Sequence, residues 1–282
     1  MRIDFRSGKI RAILIGFLAP LALAFFMVPQ PLSAPLTKEV QLEKLTWVEV
    51  RELIGHGKTV ALVPTGGVEQ NGPHMVLGKH NYIVHYTADQ IARQLGNALV
   101  APVMAYVPEG DTEPPTGHMS FAGTLSLPEP VFEAVLEHTA RSLKAHGFTT
   151  IAFIGDSGGN QASQIRVAER LTKTWQADSV RVLSIDSYYS GNGQIDWLKA
   201  QGETETAIGT HAGIRDTSEL LAVFPDGVRD DRRALQGGRY LEATGVNGDP
   251  RRASDAYGRE MLRLKIEAAL AQLRAALGEP AS

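Results

Sequence analysis

The sequence predicts an α/β fold: a three-layer α/β/α sandwich with a mainly parallel sheet covered on both faces. Three observations carry this. Short apolar runs alternate with longer segments whose apolar residues recur three and four apart. Gly and Pro punctuate the joints. Polar, ionisable clusters follow the apolar runs, where such a fold places ligands beyond the carboxyl ends of its strands. The chain has 282 residues, 43% hydrophobic and 21% charged, and no Cys. That excludes a disulfide scaffold, a thiolate metal site and a Cys nucleophile. A net charge of −3 leaves no basic footprint for nucleic acid.

Residues 1–34 stand apart. Arg2, Arg6, Lys9 and Arg11 precede an apolar run from Ala12 to Val28. This is the pattern of a secretory signal, with a cleavage point after Ala34 that Pro35 would hinder. The alternative is an uncleaved membrane anchor, because a run of about 17 residues is at the short limit for a span. The expectation is an exported, periplasmic domain over residues 35–282, touching a membrane only through an uncleaved N-terminus. Without the tail, 24 basic residues face 30 acidic ones.

Along that domain the elements follow in order. Residues 59–64 read as a buried strand stopped by Pro64 and the Gly66-Gly67 turn. Residues 82–96 read as a helix closed by Gly96, and 98–103 as the next strand. Pro128 and Gly147 bracket a second helix. Residues 149–154 read as a strand, 161–175 as a helix, 179–185 as a strand and 254–277 as a long terminal helix. Residues 188–208 read as a long irregular insertion, a candidate lid. Trp175 reads as a core residue of its helix, and Trp197 as a possible pocket wall.

Three clusters could carry chemistry. Glu69, Asn71, His74 and His80 follow the first strand and could converge on a cation, or form a solvated loop. The string GDSGGN at 155–160 lies between a strand and a helix. It fits a nucleophile elbow at Ser157, with His211 or His118 as base and Asp216 as orienter, and it also reads as a plain turn. His211 and Asp216 stand five apart. The first could carry protons and the second could ligate, orient or simply cap a helix.

Five ordered strings resemble the creatininase (creatinine amidohydrolase) family: TGGVEQNGPHMVLGKHN at 65–81, HMSFAGTLSL at 118–127, GDSGGN at 155–160, HAGIRDTS at 211–218 and GVNGDPRRAS at 245–254. They span roughly residues 42–275. The resemblance implies a metal-dependent amidohydrolase acting on a small amide or cyclic-amide C–N bond. It further implies one or two zinc or manganese ions, metal-activated water, a His that moves protons, a small-molecule substrate and a homo-oligomer, often a hexamer. Carried over residue by residue, Glu69, His74 and His211 are kept. Asn71 replaces a His, His80 replaces the bridging Asp, Ser157 replaces a His, and Asp216 replaces a Glu. An imidazole cannot bridge two cations as a carboxylate does. The expectation is therefore one ion per chain on Glu69, His80 and Asp216, with His211 and Asp216 catalytic and Asp156 as a substitute carboxylate. The competing readings are a family member that has lost catalysis and binds a small ligand or partner, and a metal-free serine hydrolase on Ser157.

Overall fold

The computed structural model describes residues 36–233 and 243–279. The secretory segment expected at 1–34 lies outside them. From Leu36 onward the chain is one compact unit. Among the described residues, no helix is long and apolar enough to cross a membrane.

Strands β1 (Val60–Thr65), β2 (Ala98–Val100), β3 (Thr150–Gly155) and β4 (Arg181–Ser184) form a sheet in the order β2-β1-β3-β4. Every pairing is parallel, with Val60 opposite both Ala98 and Thr150, and Thr150 opposite Arg181. The helices are α1 (Trp47–Gly55), α2 (Lys79–Leu95), α3 (Glu129–Ala145), α4 (Gln161–Thr174), α5 (Gln194–Ala200), α6 (Glu205–Ile208), α7 (Ile214–Val223), α8 (Asp230–Arg233) and α9 (Asp255–Leu277).

The apolar runs become central strands because both faces of the sheet are covered. Side chains alternate across a strand. Ala61, Val63, Ile151 and Phe153 pack on one face against Phe132 and Leu136 of α3 and Val167 and Leu171 of α4. Val60, Leu62, Ala152 and Ile154 pack on the other against Val84 and Ile91 of α2 and Ile266 and Leu270 of α9. These are the two interfaces of the expected three-layer sandwich. Trp175 is buried in the first cluster.

Two expectations change. Residues 188–208 are not irregular: they fold into α5 and α6, and Leu198 of α5 and Ile208 of α6 pack with Ile214 and Met261. Trp197 meets Tyr257 edge-on at 5.2 Å between ring centroids, so it belongs to that packing and not to a pocket wall.

Candidate active site

Beyond the carboxyl ends of β1 and β3 lies a cleft of about 650 Å³. Several elements supply its side chains. Glu69 and Gln70 come from the loop after β1, and His80 from the first turn of α2. Asp156 and Ser157 follow β3, and Asp216 and Glu219 lie on α7. Lys265 reaches in from the middle of α9. His118 sits in the short 3-10 turn Gly117–Ser120. His211 is fixed by paired backbone bonds with Asn247, His211 N to Asn247 O at 3.2 Å and Asn247 N to His211 O at 2.8 Å.

On the floor of the cleft His80 is clamped between two carboxylates. Its Nδ1 lies 2.7 Å from Asp156 Oδ2 and its Nε2 2.7 Å from Glu69 Oε1. Burial and the Lys79 charge oppose protonation of His80, but Glu69 and Asp156 outweigh them and raise its pKa. Asp216 serves a different group of partners. Its Oδ2 accepts the Ala212 N–H at 2.7 Å, so an acid in the first turn of α7 reaches back to the residue before the helix N-cap. Lys79 Nζ lies 3.5 Å from the same oxygen, and Arg215 Nε lies 3.7 Å from Oδ1. Burial favours the neutral acid, but Lys79 and Arg215 hold the Asp216 carboxyl well below the usual range. Both ring nitrogens of His80 are thus engaged, and Asp216 is matched to Lys79. Glu69 alone of the expected trio also takes part in the convergent donor set described next.

Among the described residues, Glu69, His118 and His211 bring ligand atoms within 4.8 Å of one another. His118 Nε2 lies 3.2 Å from Glu69 Oε2, and His211 Nδ1 lies 3.9 Å from Glu69 Oε1. The imidazole rings are 4.6 Å apart. His211 Nε2 lies 2.9 Å from Gln70 O and 3.0 Å from the Gln70 side-chain Nε2, and its Nδ1 faces Glu69. Burial lowers the His211 pKa to about 4 and lowers that of His118 as well, so both rings are neutral at pH 7, and Gln70 Nε2 lies 3.0 Å from both His118 Nδ1 and His211 Nε2. One carboxylate and two imidazoles form a donor set suited to zinc or another borderline divalent ion, with room for water.

Glu109 faces this group. Its Oε2 accepts from Ser157 Oγ at 3.5 Å, and its buried Oε1 has no partner. Burial and the neighbouring Glu69 charge raise its pKa to about 10, so it is the protonated member of a carboxyl pair. Gly67 makes this approach possible, since a Cβ there would lie 2.3 Å from Glu109 Oε1.

The other expected groups have structural work. Asn71 Nδ2 donates to Glu69 O at 2.9 Å, holding the loop. His74 Nε2 meets Thr217 Oγ1 at 3.0 Å, away from the donor trio. Ser157 Oγ contacts Glu109 and accepts the Gly159 N–H, capping a short 3-10 turn, and it makes no hydrogen bond to an imidazole. A nucleophile needs its base within hydrogen-bond reach, so the serine-hydrolase reading has no triad here. Glu109, Lys79, Lys265 and Glu219 were not singled out from the sequence.

The chain matches the family described as creatinine amidohydrolase across residues 43–273. It is 27% identical over 202 residues to a creatinine amidohydrolase of Pseudomonas putida, covering 70% of this chain and 76% of that protein. It is 30% identical over 220 residues to a mycofactocin precursor peptide peptidase of Mycolicibacterium smegmatis, covering 71% and 78%. A solved creatinine amidohydrolase superposes with a TM-score of 0.70 at 22% identity, covering 87% of this chain and all of that one. A manganese form of creatininase gives 0.68 at 24% identity, covering 85% and 99%. The fold, the cleft and these matches agree: this chain belongs to the creatininase family.

Proposed function

We propose that this protein hydrolyses a C–N amide bond in a small substrate, using one divalent ion, zinc or manganese, held by Glu69, His118 and His211. The convergence of those three donors within 4.8 Å is the observation that carries the reading. The relatives act, by their names, on creatinine and on a precursor peptide, and both substrates contain amide-type C–N bonds.

The ion would supply Lewis acidity to a carbonyl oxygen and acidify water in its open position. The chain's own residues do the rest. Glu69 contributes charge, and His118 and His211 contribute neutral lone pairs. Gln70 O fixes the His211 ring through Nε2. The expected proton-carrying role therefore passes from His211 to Glu109, whose protonated carboxyl has an unpartnered oxygen beside Glu69. Asp216, expected to bind metal, faces Lys79 and the Ala212 N–H, and in this reading it stays outside the ion's donor set.

The test is metal content by mass spectrometry alongside hydrolysis of creatinine and of short peptide amides. Glu69→Ala should lose both metal and turnover. A wild type that binds the ion yet turns over no amide would favour the ligand-binding reading. Export through residues 1–34 and assembly into a homo-oligomer belong to the same proposal. Cell fractionation and light scattering test them.

A further inference from the structure

The floor of the cleft holds more negative charge than the proposed ion site uses. Asp156 and Glu219 come from the end of β3 and from α7, and neither belongs to the donor trio. Lys265 Nζ lies between them, 2.8 Å from Asp156 Oδ1 and 2.9 Å from Glu219 Oε2. The three side chains are almost dry, at 6% exposure for Lys265 and 2% for each carboxylate. The two carboxylates have further partners. Tyr188 donates to Asp156 Oδ1 at 2.8 Å, His80 meets Oδ2, and Gln194 Nε2 donates to Glu219 Oε1 at 2.6 Å. The buried carbonyl oxygen of Gln194 has no partner.

Two dry carboxylates this close need a cation. Without one they must take up protons or draw an ion from solution. Hard oxygens of this type suit manganese or magnesium. We propose that Lys265 is a tethered stand-in for a second metal ion: its ammonium occupies the place between Asp156 and Glu219 where a divalent cation would bind, and this limits the cleft to one exchangeable ion. Lys79 does the same for Asp216 at 3.5 Å. A tethered ammonium cannot be lost to a chelator or to dilution. It also offers no vacant orbital, so the floor fixes charge and leaves Lewis acidity to the outer site. This rests on the proposed function only for its baseline of one ion.

The experiment is a manganese titration of the full chain, read by electron paramagnetic resonance and calorimetry, for wild type, Lys265→Arg and Lys265→Met. One ion per chain is expected for the first two and one more for Lys265→Met. The extra ion should vanish in the double variant with Glu219→Gln. A wild type that takes two ions overturns the proposal, as does a folded Lys265→Met with no gain. If Lys265→Met does not fold in chelator, folding restored by millimolar manganese supports the proposal and failure of that rescue counts against it. A wild type with no ion and a Lys265→Met with one would sink the outer metal site yet leave this inference standing.

Discussion

The floor and the rim of the cleft are built on opposite terms. On the floor, charges alternate from Glu219 through Lys265, Asp156 and His80 to Glu69, with every step at 2.7–2.9 Å. At the rim, His118 and His211 converge on Glu69 from 3.2 and 3.9 Å, and the buried Oε1 of Glu109 has no partner. A satisfied buried network specifies one arrangement, and breaking it costs folding energy. Unsatisfied donors are available for a ligand. Glu69 belongs to both sets, so this one carboxylate joins the groups that hold the pocket's shape to those that can act.

Substitutions can break this contrast. The largest effect is expected from Glu109→Gln, which keeps the shape but removes the proton. Turnover should fall roughly 10²–10⁴-fold, the scale for a general acid, with the melting temperature nearly unchanged. Full activity in steady-state kinetics would remove Glu109 from the reaction. Asp156→Ala should do the reverse and strand Lys265 and His80, at about 3–5 kcal/mol of unfolding free energy. Urea titration measures this, and a loss below ~1 kcal/mol would mean the floor does not hold the fold.

The pH dependence comes next. Burial lowers the His74 pKa to about 4, against roughly 6.5 in the unfolded chain. The unfolded state therefore binds more protons between those values. Stability from His74 is fully present above pH 6.5 and is lost as pH falls toward 4, by roughly 3 kcal/mol. Melts from pH 4 to 7 should show that slope, and His74→Gln should flatten it. An unchanged slope would contradict the assignment. The smallest effect on the fold is expected from His211→Ala at the rim. It should weaken metal binding by more than the roughly 10–100-fold that loss of a partner behind a ligand costs, while costing under ~1 kcal/mol of stability. Calorimetry that finds unaltered affinity would take His211 out of the ligand set.

The sheet and its main helices were legible because a buried parallel strand must read as an unbroken apolar run and a covering helix as a stripe. Helices α5 and α6 were not, since each is too short to show a period. Glu69 and His211 could be found in their motifs. Their final partners could not, because His118 is brought to them by chain folding across 48 residues or more. Lys265 did leave a signal. It falls three and four residues from Leu262 and Met261 and four before Ala269, inside the buried stripe of α9. A charge on an apolar stripe implies a buried counter-charge. Glu109 left none, lying in a loop with no period to violate.

The pairing of Lys265 with Asp156 joins positions 109 residues apart, and α9 is the last helix among the described residues. This sets the order in which the charges are made. While the polypeptide is being made, β3 and α7 emerge carrying Asp156 and Glu219 before their counter-charge exists. Docking of α9 therefore does two things at once: it covers the sheet with Ile266 and Leu270 and delivers the ammonium that balances the chamber. A chain stopped short of that helix would expose an apolar face together with an unbalanced acidic cavity, so an unfinished copy differs from a finished one in charge as well as in shape.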